Sequence, residues 1–187
     1  MLMSIQRKAL QAPIGLTTII GVDLMQQAIE ASRSSPRKRV ILPLHKTPDA
    51  PLQRMLNAIQ PDSYIQPHRH LYPPKQESII VLQGSLLYLV FGAHGDVQEI
   101  LTLAAGTPEF GFDSEAGIYH TFLALRADTV VFEVKPGPYE PTTDKDFASW
   151  APGEDSAEVQ NYLASLYRLT TMPKNQPRQE TFGRTDG

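Results

Sequence analysis

Tyr64-Ile65-Gln66-Pro67-His68-Arg69-His70-Leu71-Tyr72-Pro73-Pro74-Lys75-Gln76-Glu77-Ser78-Ile79-Ile80-Val81-Leu82-Gln83-Gly84 decides the reading of this chain. His68 and His70 are two apart in a run without helical period, and side chains so spaced on a strand point to one face. Both imidazoles can therefore reach the same point. Glu77 follows a Pro-Pro turn, begins an apolar run and shares its parity with Ile79 and Val81. Farther along, Gly117-Ile118-Tyr119-His120 offers a third imidazole at the start of another strand-like segment, where His120 shares a face with Phe122 and Ala124. A histidine among such neighbours is poorly satisfied unless it binds something. Three imidazoles and one carboxylate suit one first-row divalent metal per chain, with open positions; iron, manganese, nickel, cobalt and zinc all fit.

Working outward, short segments alternate with turn signals. Val40–His45, Arg54–Ile59, Tyr64–His70, Ser78–Leu82, Ser85–Phe91, Val97–Leu103, Tyr119–Leu125 and Thr129–Lys135 read as strands, with a hairpin about Gly95-Asp96. This pattern predicts an all-β sandwich or barrel. A helix is expected around Leu24–Ser32 with Asp23 as its cap, and another opened by Asp155 with Glu158 completing a capping box. Val159, Tyr162, Leu163, Leu166 and Tyr167 form the apolar face of the second helix. Residues 171–187 read as a polar, loosely attached tail. The expected organisation is an arm and helix over 1–36, the β domain over 37–152, and a helix with tail over 153–187.

Composition narrows the chemistry. The 187 residues carry a net charge of −3, with 41% hydrophobic and 20% charged residues, and no cysteine. Thiolate zinc sites, disulfides and cysteine nucleophiles are excluded. Nothing suggests nucleic acid or an anionic membrane as a partner. No apolar run approaches the roughly 18 residues that cross a bilayer, so the expected location is the cytoplasm. No phosphate-binding loop or serine-nucleophile motif is present, which leaves metal chemistry as the catalytic route.

The polar neighbours of the site supply substrate-binding candidates. On the strand reading, Tyr64 and Gln66 share the ligand face, and Tyr88 in the next hairpin can face inward. Arg54 is either a clamp for a carboxylate or phosphate or a solvated strand charge. His45 either faces the cavity or lies at the surface. Glu133 and Lys135 alternate against Val130, Phe132 and Val134 and read as an ion pair on the outer face, at a dimer contact or at the pocket mouth. Phe147 and Trp150 are expected to pack the C-terminal segment onto the β domain. His94, in a Gly-rich turn, is assigned no role.

His68-x-His70 followed by Glu77 and Gly84 resembles the first cupin motif, and Gly117-x-x-His120 the end of the second. Two features depart from that pattern. Six residues separate His70 from Glu77, more than is usual, and Glu115 and Ala124 stand where Pro and Asn are common. The sequence is also similar to the WbuC-type cupin metalloproteins. The strings that carry this likeness include Pro61-Asp62-Ser63-Tyr64-Ile65-Gln66-Pro67-His68-Arg69-His70, Lys75-Gln76-Glu77-Ser78, Phe132-Glu133-Val134-Lys135-Pro136-Gly137-Pro138-Tyr139 and Asp144-Lys145-Asp146-Phe147-Ala148-Ser149-Trp150. The resemblance implies a cupin jelly-roll β-barrel (RmlC-like) with flanking helices, holding one metal on His68, His70, Glu77 and His120, and a homodimer paired through its arms. It also implies a small-molecule ligand, such as a sugar or nucleotide sugar linked to surface polysaccharide synthesis. Two functions follow as expectations: a metal-dependent isomerase, epimerase or dioxygenase, or a non-catalytic cupin that binds or senses a small ligand.

Overall fold

The computed structural model of the protein describes residues 9–171. Most of the expected tail, residues 172–187, lies outside the described residues, as do the first eight. In chain order the elements are α1 (Val22–Ser34), β1 (Arg39–Pro43), β2 (Leu52–Ile59), β3 (His68–Arg69), β4 (Glu77–Gln83), β5 (Ser85–Phe91), β6 (Val97–Ala104), β7 (Gly111–Ser114), β8 (Tyr119–Ala124), β9 (Thr129–Pro136), β10 (Asp146–Phe147) and α2 (Val159–Arg168). A 3₁₀ turn, Leu169–Thr171, follows α2.

The strands form two antiparallel five-stranded sheets, one ordered β1-β2-β9-β4-β7 and the other β10-β3-β8-β5-β6. Strand order jumps along each sheet because successive segments cross from one sheet to the other, as in a jelly roll. Among the described residues no ladder joins the sheets, so the expected barrel is an open double layer. One face of each sheet turns inward: Ile59, Ile79, Val81 and Val131 meet Leu86, Tyr88, Val90 and Phe122 from the other sheet. The outer faces are covered by the helices. Ala28 and Ile29 of α1 pack on Val40, Leu42, Leu56 and Ala58. Val159, Leu163 and Leu166 of α2 pack on Leu87, Leu89, Phe91 and Leu123. This cover explains why β5 is buried at every position and reads as an unbroken apolar run instead of alternating.

Both helix starts differ from expectation. The residue preceding α1 is Gly21, without a side-chain cap, and Asp23 lies inside the first turn, where a carboxylate favours the positive end of the helix dipole. The capping box at Asp155 does not form. Residues 153–158 are wound into turns, Ser156 Oγ accepts the Glu158 amide at 3.2 Å, and α2 begins at Val159.

Gly84 makes the passage from β4 to β5. Its φ is +79°, and a Cβ there would stand 2.4 Å from Thr129 Oγ1 and 2.9 Å from Thr129 Cα. Only glycine meets both the left-handed backbone and the close approach. Gly84→Ala is expected to destabilise the protein by about 2 kcal/mol or more, read as a lowered urea midpoint.

Candidate metal centre

Chain pairing brings the imidazoles together. His68 of β3 stands directly opposite His120 of β8, and their ring centroids are 4.7 Å apart. His70 lies 5.2 Å from His68 and 5.7 Å from His120, centroid to centroid. All three are buried, and one nitrogen from each can be chosen so that the three lie within 4.8 Å of one another. Glu77, the first residue of β4, approaches from the other sheet, with Oε2 3.3 Å from His120 Nε2 and Oε1 3.7 Å from His70 Nε2.

The backbone fixes which nitrogen points at this centre. His68 Nδ1 lies 2.9 Å from the Gln66 carbonyl, His120 Nδ1 2.9 Å from the Ile118 carbonyl, and His70 Nδ1 against the Asp144 carbonyl. A carbonyl only accepts, so each Nδ1 carries its proton and Nε2 is the free lone pair, the arrangement that orients ligating histidines. His70 Nε2, His120 Nε2 and Glu77 Oε2 are buried without a hydrogen-bond partner. Their mutual approach is close but lacks hydrogen-bond geometry. Orphaned buried atoms are costly, and these three converge, so the residues present fit a metal ion.

Electrostatics agree with that fit. Burial, then Lys145, His120 and His70, hold His68 well below its ordinary value, so it is neutral, as a ligand must be. Burial alone would raise the Glu77 carboxyl, but the groups around it, the Lys135 ammonium among them, hold it well below the usual carboxylate range.

The long spacing between His70 and Glu77 is absorbed locally. The chain turns out at Leu71, bridges to Pro74, and the Lys75 amide returns to the His70 carbonyl at 3.4 Å. The extra residues form this excursion, with Tyr72 exposed at its tip, and Glu77 still reaches the imidazoles.

Several predicted substrate residues lie elsewhere. Tyr64 faces away: its ring packs edge-on to Tyr162 of α2, and its hydroxyl donates to the Pro152 carbonyl at 2.7 Å. Ladder pairing begins only at His68, so the extended run 64–67 does not keep strand parity, and Ile65 instead of Tyr64 enters the interior. Gln66 spends its side chain on the Ala148 and Ala151 carbonyls and serves the site only through its own carbonyl. Arg54 is exposed on the outer face of β2. His45 lies beyond β1, with Nδ1 3.1 Å from the Arg54 amide nitrogen. Tyr88 does point inward. It is buried, stacks on Phe112 at 3.8 Å, has its ring centroid 5.8 Å from that of His120, and its hydroxyl lies toward Ser114 without completing a hydrogen bond. Phe147 is half exposed at the rim, its ring centroid 6.0 Å from that of His68, whereas Trp150 packs on Phe91 as expected.

Glu133 and Lys135 are not on the outer face. β9 turns Val131, Glu133 and Lys135 inward and Val130 and Phe132 toward α1. Inside, Asn57 donates to Glu133, Lys135 Nζ lies 3.4 Å from Glu133 and 3.1 Å from Asp144, and Lys75 Nζ lies 2.9 Å from Asp144 and donates to the Pro138 carbonyl at 2.8 Å. Burial and the nearby Glu77 raise the Glu133 carboxyl to about 7. Burial would lower Lys135, but the Glu133, Glu77 and Asp144 carboxylates raise it. Sequence parity cannot choose between the two β9 faces, since both alternate cleanly. The deciding fact is that α1 needs an apolar sheet face to cover. The pairing of Lys75 with Asp144 left no local signal, because the two are distant in sequence.

The double layer has the strand order of a jelly roll. A family model described as a domain of unknown function (DUF6016) matches residues 20–103. No curated protein matches the chain. Among solved structures, KdgF from Halomonas sp. is 20% identical over 58% of this chain and 87% of its own, with a TM-score of 0.44. The L-ribose isomerase of Cellulomonas parahominis is 20% identical over 60% of this chain and 70% of its own, with a TM-score of 0.48. The capsular polysaccharide assembling protein CapF of Staphylococcus aureus is 22% identical over 57% of this chain and 31% of its own, with a TM-score of 0.46. Likeness at this level does not transfer an activity.

Removing Lys135 would leave Glu133 and one oxygen of Asp144 buried without their ammonium. Lys135→Met, which keeps the length of the side chain, is expected to cost about 3 kcal/mol in urea unfolding of the metal-free protein.

Proposed function

We propose that this chain is a metal-binding cupin that acts on a small hydroxylated or carboxylated metabolite by metal-assisted isomerisation or oxygenation. One observation carries the reading: three buried imidazoles, each with Nδ1 committed to a backbone carbonyl, converge beside one carboxylate, and His70 Nε2, His120 Nε2 and Glu77 Oε2 are buried without a hydrogen-bond partner. In this reading His68, His70, His120 and Glu77 hold one divalent ion, and residues 37–152 form the metal-binding domain. Such an ion supplies Lewis-acid polarisation of a carbonyl or enediolate or, if redox-active, dioxygen chemistry. The protein's own part is to orient the imidazoles, to keep His68 neutral and to place the stacked rings of Tyr88 and Phe112 beside them, which limits water at the centre. The WbuC-type resemblance of the sequence supports a sugar or nucleotide sugar of surface polysaccharide synthesis as the metabolite.

The metal reading is tested by plasma mass spectrometry on untagged protein. About one divalent ion per chain is expected in the wild type and less than about a tenth of that in His120→Ala, with the fold of the variant verified by circular dichroism. Wild-type protein that takes up no ion after reconstitution would refute it.

A second copy of the chain is the proposed macromolecular partner. The arm before α1 presents Ile14, Leu16 and Ile19 almost entirely to solvent, with Val22 exposed at the start of α1, and it leads from Ala9, which bridges to Ile41 on the sheet-edge strand β1. Exposed apolar side chains on a sheet edge call for cover. Light scattering is expected to give a dimer for the wild type and a monomer for an Ile14→Ser, Leu16→Ser, Ile19→Ser variant.

A further inference from the structure

The three imidazoles are not oriented by the same means. His68 Nδ1 meets the Gln66 carbonyl and His120 Nδ1 the Ile118 carbonyl, each two residues back along the chain. These contacts are local, so each ring carries its orientation with its own strand. His70 Nδ1 instead meets the carbonyl of Asp144, 74 residues away. Its ring keeps that aim only while the distant segment stays seated. Residues 138–143 are all exposed, and Asp144 is the buried point at which that segment enters the interior.

Lys75 closes a circuit around His70. The Lys75 amide donates to the His70 carbonyl at 3.4 Å, and the Gly117 amide donates to the same oxygen at 3.1 Å. The Lys75 ammonium donates to Asp144 Oδ1 at 2.9 Å and to the Pro138 carbonyl at 2.8 Å, which pins both ends of the exposed segment. The Asp144 carbonyl then takes the His70 ring. Main chain and imidazole of one ligand are thus tied to a single buried lysine–aspartate pair. Hydrogen bonds between charged groups are short and directional, and they fix geometry where apolar contact would let it slide. The second lysine of Asp144 plays a different part. Lys135 lies 3.1 Å from Asp144 Oδ2 and 3.4 Å from Glu133, so its loss strands two carboxylates. Loss of Lys75 leaves Asp144 still paired with Lys135, and what it releases is the seat of the segment that aims His70.

We propose that Lys75 is a positioning residue of the metal centre: through Asp144 it sets the aim of His70, and with it the affinity for the ion and the symmetry of its ligand set. This rests on the metal reading and deepens it by giving control of one ligand to a side chain that is not itself a ligand. Two measurements on the full-length protein test it. In metal-free protein carrying isotope-labelled histidine, Lys75→Met is expected to speed solvent exchange of the His70 Nδ1 proton about tenfold and that of His68 and His120 less than about twofold. With cobalt(II) as the probe ion, Lys75→Met is expected to bind about tenfold more weakly, with shifted visible bands. Asp144→Asn, which keeps the carbonyl but weakens the clamp, is expected to move the same signals in the same direction, and it carries the test if Lys75→Met does not fold. Wild-type cobalt affinity and bands in the folded variant would overturn the proposal. Equal acceleration at all three imidazoles would overturn it too, as the mark of general loosening. A wild-type protein that binds no cobalt is a different result: it removes the metal reading itself, and this inference with it.

Discussion

A charged or hydrogen-bonding side chain can sit between two β-sheets only if its partners are built in around it. That constraint organises the interior of this protein. Where Ile59, Ile79, Val81, Leu86 and Phe122 meet, the sheets pack as an ordinary apolar core. Near the imidazoles the same inward positions carry Asn57, Glu77, Glu133, Lys135, His68 and His120, all buried. The strands do not change character; only the residues on their inner face do. A polar set of this density is retained against a desolvation cost that apolar residues would avoid, and that cost points to use rather than to stability.

Asp144 joins the two halves of this polar region. Its carboxylate takes Lys75 on one oxygen and Lys135 on the other, while its carbonyl orients His70. The Lys75 ammonium in turn anchors to the Pro138 carbonyl. The loop that leads into β10 is thereby fastened to the inner face of the first sheet and to the imidazole set of the second. Placement of Phe147 at the rim follows from this fastening, since it continues the same segment. Helices α1 and α2 act at longer range: by covering the outer faces they determine which parity of β9, β2 and β5 is left to face inward.

Much of the candidate site was legible in one dimension. His68 and His70 have the spacing of one strand face, Glu77 opens an apolar run, and His120 follows a glycine turn; these are local patterns, and local geometry decides them. The apolar stripe of α2 was equally clear. The errors cluster where pairing overrides local pattern. Tyr64 looked like a neighbour of His68 because alternation was carried back through Gln66 and Pro67, although no ladder exists there to enforce it. Arg54 stood open between a clamp and a solvated charge, and Glu133 and Lys135 were read chiefly on the outer face of β9, for one shared reason. On a strand covered by a helix on one side and a sheet on the other, both parities can be apolar or polar, and parity alone does not say which side is in.

The chain by itself determined the all-β class, the helix that follows it, the exclusion of thiolate chemistry and the identity of four inward groups that suit a metal. Each depends on composition or on spacings of a few residues. Tertiary structure alone decided that Asp144 orients His70 and binds Lys75 and Lys135, that Phe147 stands beside His68, and that Tyr64, Arg54 and His45 stand apart. Those facts depend on which strands pair and in what register. Register is set by the whole hydrogen-bonded sheet and by the helices that cover it, over separations of scores of residues, where no sequence period reaches.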